Sequence, residues 1–438
     1  MRFRVFPKWV IFGNRRLFPQ RPPHSSFSNY FTRNFQTSRA SINGGGTSSS
    51  SEGNAFFVPG ATVATILMLG VLHARRLYED KKMEEAREKG IEIEFSPDKK
   101  ATFLRLMPLR TISRIWGNVT SVEYPIWLRP YIYKAWARAF HSNLEEAALP
   151  LDQYASLRDF FVRTLKEGSR PIDSDPHSLA SPVDGTILRF GELKPGTMIE
   201  QVKGASYSAA SLLGARSFLS IAQDDAIGEI DELENTSNGA SKKSWWRVSL
   251  ASPKVRDTTS VRPMKGVFYC VIYLKPGDYH RVHSPVNWQV FIRRHFPGQL
   301  YPVNERARRT IKNLYVENER VVLEGQWEEG FMALAAIGAT NIGSIELAIE
   351  PELRTNRPQK LLHSEPPKER VYEPEGVGVV LKKGDEVAAF NMGSTVVLVF
   401  QAPVCKASDE DGSSQEFKFC VKRGDKVRMG EALGRWHE

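Results

Sequence analysis

Asn391-Met392-Gly393-Ser394-Thr395 opens onto Val396-Val397-Leu398-Val399-Phe400, five apolar residues in a row. A short, uniformly apolar run following a turn reads as a buried strand. The turn is Lys383-Gly384-Asp385, with Glu386 and Val387 leading toward the small residues. Gly-Ser-Thr therefore stands at the mouth of a strand. Glycine lacks a Cβ, so its backbone can take the bent geometry in which the next hydroxyl attacks its carbonyl. Attack by Ser394 on Gly393 would cut the chain and turn Ser394 into a new reactive group.

Working outward, Lys382-Lys383-Gly384-Asp385-Glu386-Val387 is echoed by Lys422-Arg423-Gly424-Asp425-Lys426-Val427, and a glycine follows each, Gly393 and Gly430. Related hairpins of this kind suit a β-sandwich or barrel. Ser181-Pro182-Val183-Asp184-Gly185-Thr186-Ile187 reads as a turn entering a strand. Gly266–Leu274, Val321–Glu324, Phe331–Ile337 and Ile345–Ile349 read as further strands. A hydrophilic block over 224–259 reads as a surface insertion. Its Trp245 and Trp246 have no explanation in the pattern.

The N-terminal third differs. Residues 1–40 hold seven Arg, one Lys and no acid, which is +8 of the chain's +10 and leaves the remainder near neutral. The basic excess is confined to one end, so it does not indicate nucleic-acid binding. An acid-free, Arg- and Ser-rich start predicts a mitochondrial transit peptide over 1–45. Residues 46–78 combine a Gly/Ser stretch with the uncharged run Ala55–Leu72. Its 18 residues match the shorter membrane spans, which need about 17 to 25. Residues 79–102 are charged and read as a stalk. Residues 103–140 interleave Trp116, Trp127, Tyr131, Tyr133 and Trp136 with Arg105, Arg110, Arg114, Arg129 and Arg138, broken by prolines. This composition predicts short helices that dock on lipid headgroups, pack on the main domain, or do both. The expected class is α+β: a β-rich core of paired hairpins, sandwich- or barrel-like, behind a helical membrane-docking layer and a transmembrane helix. The three cysteines, Cys270, Cys405 and Cys420, fit no zinc spacing and read as core residues.

Three distant segments offer chemistry: Asp184 in its proline-bounded turn, His280 and His283 in Asp278-Tyr279-His280-Arg281-Val282-His283-Ser284-Pro285, and Ser394. An Asp, a His and a Ser brought together would activate the serine. A membrane-anchored hydrolase using Asp184, His283 and Ser394 is the alternative reading. Ser394 lacks the Gly-x-Ser-x-Gly elbow, however, and its preceding glycine suits backbone cleavage better. His280 and His283 with His295 or Asp278 could be metal ligands, but metal-binding helices space theirs four apart.

Seven segments in order make the chain resemble the phosphatidylserine decarboxylases, most closely the mitochondrial type of fungi. They are Phe160–Lys166 with Arg170-Pro171-Ile172; Ser181–Gly185; Lys203-Gly204; Tyr279–Pro285; His295–Gly298 with Pro302-Val303-Asn304; Gly338–Ile345; and Phe390–Phe400. The resemblance covers roughly 103–438. Met392 stands where the family commonly has Leu, a swap of similar volume. The resemblance implies cleavage between Gly393 and Ser394 into a large chain, 103–393 within the decarboxylase domain, and a small chain, 394–438. Ser394 becomes a pyruvoyl group, the Schiff-base site for the lipid amine, with no metal and no pyridoxal phosphate. Asp184 and His283 prime Ser394, and His280 serves the decarboxylation step. The substrate is phosphatidylserine in a membrane, and the two chains stay together, with further dimerisation open. Arg163, Arg170 and the arginines of 105–138 are candidate cations for the headgroup. Relatives of this type face the intermembrane space from the mitochondrial inner membrane, whereas the basic residues after Leu72 would by charge alone lie in the matrix.

Overall fold

The computed structural model describes residues 78, 94–96, 104–194, 198–219, 265–341, 344–358, 366–372, 378–391, 393–404 and 416–436. The transit segment, the apolar run 55–72, most of the stalk and the 224–259 insertion lie outside them. No described helix is long and apolar enough to cross a membrane.

The strands are β1 (Ser178–Ala180), β2 (Gly185–Glu192), β3 (Met198–Val202), β4 (Ala205–Ser208), β5 (Lys265–Leu274) and β6 (Arg281–His283). After these come β7 (Trp288–Phe296), β8 (Arg320–Trp327), β9 (Gly330–Gly338), β10 (Ile345–Leu347), β11 (Lys368–Val371) and β12 (Val379–Leu381). The last are β13 (Glu386–Phe390), β14 (Ser394–Pro403), β15 (Lys418–Phe419), β16 (Lys426–Val427) and β17 (Ala432–Arg435). The helices are α1 (Leu109–Thr120), α2 (Arg129–Phe140), α3 (Leu157–Phe161), α4 (Ala209–Leu213), α5 (Glu305–Thr310) and α6 (Leu314–Glu317).

One antiparallel sheet dominates, in the order β11–β7–β8–β9–β14–β5–β2–β16, with β12 also on β7. β14 sits inside it, paired with β5 along all its residues and with β9 from Ser394 to Phe400. Every residue of β14 is buried. Side chains alternate across a strand, so Val396, Leu398 and Phe400 enter one core and Val397 and Val399 another. That explains the unbroken apolar run: both faces are dry. The first core lies under two three-stranded sheets, β1–β17–β15 and β10–β13–β6. The second lies under α4, α5 and α6, through Leu212, Ala307 and Leu314. The chain is thus α+β. The two-stranded sheet β3–β4 joins the helices over the second core, through Ile199 and Tyr207. The large sheet ends at β11 and β12 on one side and β16 on the other, so it does not close into a barrel.

The echo is structural, but the turns are not the expected hairpins: β12 pairs with β7 and β13 with β10 and β6, while β15 pairs with β17 and β16 with β2, so each turn carries the chain from one sheet to another. Lys382 and Lys422 each donate a backbone N–H to the aspartate three residues on, Asp385 at 2.8 Å and Asp425 at 2.7 Å. Gly384 and Gly424 both hold positive φ, +89° and +102°, which an L side chain resists. A second echo, not anticipated from the sequence, faces the first. Ser181-Pro182-Val183-Asp184 matches Ser284-Pro285-Val286-Asn287. In each, the serine hydroxyl donates to the valine carbonyl, at 2.7 and 2.6 Å. Ala180 N–H donates to Pro285 and His283 N–H to Pro182, at 3.1 and 2.8 Å. Asp184 accepts from Met429 N–H, and Asn287 from Lys383 N–H, both at 2.8 Å. The two turns are a pseudo-two-fold pair, and only one carries a charge.

The helical layer does pack on the domain. Tyr133 is buried, stacks on Phe160 with centroids 4.7 Å apart, and donates to the Tyr154 carbonyl at 2.7 Å. Arg110 is a structural residue rather than a headgroup cation: it is buried and paired with Glu319 at 2.9 Å. The opposite side exposes Leu106, Ile115, Val119, Val122, Ile126, Trp127 and Tyr131. Cys270 is buried as expected, but Cys420 is exposed because β15 lies at the edge of its small sheet. Cys405 is outside the described residues.

Candidate active site

Asn391 fixes the approach to β14. It is buried; its side chain accepts from Arg158 Nε at 3.1 Å and donates to Ser344 Oγ at 2.6 Å and Glu346 Oε1 at 2.8 Å. Gly393 follows in left-handed geometry, φ +59°. Space is not the constraint there: a Cβ would meet only the Thr340 carbonyl, at 3.9 Å. The conformation itself is, at about 1–2 kcal/mol for an L residue. Ser394 is 0% exposed and its Oγ has no hydrogen-bond partner among the described residues. A buried hydroxyl without a partner is costly and marks a functional position.

The segment Asp278–His283 runs into β6, which pairs with β13 just upstream of Asn391. Extended chain sends residues three apart to opposite faces, so the two histidines meet different surroundings. His280 Nδ1 bonds the Asp278 carbonyl at 2.8 Å, its ring lies 4.1 Å from Phe161, and Nε2 is buried with no partner among the described residues. Burial, with help from the nearby Arg163 charge, pushes its pKa down to about 3, so it is neutral at pH 7. His283 Nδ1 bonds the Gly384 carbonyl at 2.8 Å and Nε2 meets the Tyr279 hydroxyl at 3.0 Å. Only a protonated Nδ1 can bond a carbonyl, so Nε2 carries the lone pair in both neutral rings. Burial lowers the His283 pKa as well. Asp278, which its sequence context suggested only as a metal ligand, is pushed up to about 6 by burial.

Asp184 is buried and takes two nitrogens of Arg170, Nε at 2.9 Å and Nη2 at 2.5 Å. Arg170 also bonds Glu146 at 2.9 Å. Burial alone would lower the Arg170 pKa, but the bonds and charges of those two carboxylates outweigh it and raise it. Asp184 lies beside His283 through the Pro182–His283 backbone bond, and its charge acts on the imidazole through space. Among the described residues no hydrogen bond joins Asp184 to His283, or either to Ser394. His295 is elsewhere, held by Glu319 at 2.8 Å. Among the described residues no three His, Cys, Asp or Glu are grouped for a metal ion.

The family profile described as Phosphatidylserine decarboxylase matches residues 157–435, which include Asp184, His280, His283, Gly393 and Ser394. A mitochondrial phosphatidylserine decarboxylase proenzyme 1 of Arabidopsis thaliana is 63% identical, over 99% of both chains. The chain belongs to the phosphatidylserine decarboxylase family. The rice member is 59% identical over 99% of both chains. That of Saccharomyces cerevisiae is 37% identical over 75% of this chain and 72% of its own. The mitochondrial type is thus borne out, with these plant decarboxylases more similar than the yeast one. The decarboxylase assignment agrees with the site's burial. Ser394, wholly buried at the start of an interior strand, adjoins the Gly393 carbonyl of its own backbone. The name proenzyme fits a chain that is processed. Gly393, free of crowding, and Ser394, small and unpartnered, also suit a carbonyl group made from the chain at this position.

Proposed function

We propose that the chain cuts itself between Gly393 and Ser394 and then decarboxylates phosphatidylserine to phosphatidylethanolamine. The observation that carries this is the unpartnered, fully buried Ser394 hydroxyl directly after a left-handed glycine. His283 Nε2 takes the Oγ proton; Oγ bonds the Gly393 carbonyl carbon; the C–N bond breaks and the proton passes to the leaving nitrogen. Loss of the Ser394 Cα proton then breaks the Cβ–Oγ bond and releases the Gly393 carboxylate; a proton returns to Cβ as the enamine becomes an imine, and water releases ammonia, leaving a pyruvoyl group on the 394–438 chain. For His283 to reach Ser394, the Tyr279 hydroxyl must yield. Asp184, held by Arg170, supplies the negative charge that stabilises the transient imidazolium.

The pyruvoyl group supplies an electron sink for the charge left at Cα when carbon dioxide departs. The protein moves the protons. The substrate arrives as an ammonium, and the neutral His280 Nε2 accepts the proton it must lose. The same nitrogen returns that proton to Cα after carbon dioxide has gone, so the cycle balances. Phe161 against His280 keeps this corner apolar.

The two chains remain one body, because β14 pairs with β9 and β5, β16 with β2 and β17 with β1. The exposed apolar side of the α1–α2 layer meets the bilayer that holds the substrate. Residues 1–45 direct the chain to mitochondria, 46–78 contain its transmembrane helix, and the domain faces the intermembrane space from the inner membrane. Intact-mass measurement tests the core of this. Two chains, the smaller beginning at residue 394 and blocked by pyruvoyl, are expected. Ser394→Ala should remain a single inactive chain. An uncut wild-type chain that still releases carbon dioxide from the lipid would overturn the reading.

A further inference from the structure

Arg163 follows α3, whose start is set by the reciprocal Ser156–Asp159 capping box. Its side chain is only 4% exposed, yet its Nε is buried without a partner and its guanidinium makes no hydrogen bond or ion pair among the described residues. It lies 5.1 Å over the Phe160 ring. Asp184 and Glu146 act on it only through space, because both are bonded to Arg170. A buried guanidinium stays charged, and leaving it unpaired is unfavourable. Other arginines are engaged: Arg110 with Glu319, Arg129 with two carbonyls, Arg158 with Glu346, Arg281 with Glu386. On its other side is His280, close enough to feel the charge.

We infer that Arg163 is the docking site for the phosphodiester of the lipid substrate and so sets the serine headgroup against His280. This rests on the decarboxylase reading of the site. The substrate carries two anions, and the chemistry chooses between them. The carboxylate becomes neutral carbon dioxide, so a cation clamped on it would stabilise the ground state over the transition state. The phosphodiester keeps its charge throughout, so an ion pair there binds without opposing reaction. The planar donor fork matches two phosphate oxygens.

The test uses matured wild-type enzyme, Arg163→Gln and Arg163→Lys. Each is assayed on short-chain phosphatidylserine and on the same lipid with a neutral methylphosphonate linkage, and self-cleavage is scored in each sample. Wild type should lose about 10- to 100-fold in kcat/KM on the neutral lipid, the worth of a charged hydrogen bond. Arg163→Gln should lose as much on the phosphodiester, mainly in KM, stay cleaved, and no longer distinguish the lipids. Arg163→Lys should recover part. A wild type indifferent to the linkage overturns the assignment without any variant, so misfolding of a variant leaves the test decisive. A cleaved Arg163→Gln that still favours the phosphodiester overturns it too. Wild type that is cut at Gly393 but releases no carbon dioxide from either lipid would instead remove the decarboxylase reading on which it rests.

Discussion

Asp184 and Asn287 occupy equivalent places in the two Ser-Pro-Val turns, and each accepts one backbone N–H at 2.8 Å. The amide does that job in one half, so Asp184→Asn changes the charge while keeping the turn. The variant should fold, with stability lowered by about 1–3 kcal/mol as Arg170 loses a partner. Cleavage should slow by about 100-fold or more if the charge supports His283. A normal rate of chain conversion, followed on gels, would remove Asp184 from the processing machinery. His280 permits a second prediction. Its folded pKa is about 3, whereas an unfolded histidine titrates near about 6.5. As pH falls through that window the unfolded state takes up a proton that the folded state refuses, so stability is lost. Asp278, raised to about 6, works in the opposite sense and strengthens the fold as it protonates. Urea midpoints of wild type and His280→Phe, compared between about pH 4 and 7, separate the two. The variant should lose less stability on acidification; parallel curves would mean that His280 is solvated in the native state.

β14 shows both what the sequence disclosed and what it concealed. The run Val396–Phe400 announced a buried strand because both of its faces are apolar, and Gly-Ser-Thr announced a special entry. The lysine-rich turns were legible because Gly384 and Gly424 need positive φ and Asp385 and Asp425 close them locally, but their flanking strands pair elsewhere and form no hairpin. Which strands flank β14 was not legible, since pairing with β5 and β9 depends on contacts more than 50 residues away in sequence. The Ser-Pro-Val echo was concealed because its meaning lies in cross-bonds between its two copies. The role of Arg163 was equally hidden: among several arginines, only burial and the absence of partners distinguish it. The position of β14 also governs the fate of the cleaved chain. A cut at Gly393 frees one end of an interior strand whose ladders on both sides remain. The 394–438 chain should therefore co-purify with the larger one and separate only when the whole domain unfolds. Gel filtration in sub-denaturing urea checks this, and early release of the small chain would mean that the ladders do not hold it.

Among the described residues, the α1–α2 region carries most of the exposed large apolar side chains. Leu106, Ile115, Val119, Val122, Ile126, Trp127 and Tyr131 all belong to the α1–α2 region, while its inner side packs through Tyr133, Phe160 and Phe161. An exposed patch of large apolar side chains marks a site of contact. The substrate's own solvent argues for the bilayer, since extracting a two-tailed lipid costs about 0.8 kcal/mol for each CH2 group brought into water. An enzyme that works on such a lipid gains more by dipping into the interface than by lifting the substrate out. Trp127, 71% exposed, and Ile126, 64% exposed, lie at the loop leading into α2 and are the strongest probes. In full-length enzyme reconstituted into vesicles, the pair Ile126→Ser and Trp127→Gln should reduce turnover of long-chain phosphatidylserine about ten-fold or more, given about 1.5–3 kcal/mol for each large side chain inserted. Turnover of monomeric short-chain lipid should stay near wild type, because neither residue touches His280 or Ser394. Equal losses on both substrates would mean that the layer supports the fold rather than the membrane contact. Unchanged turnover on vesicles would mean that this patch does not bring the site to its substrate.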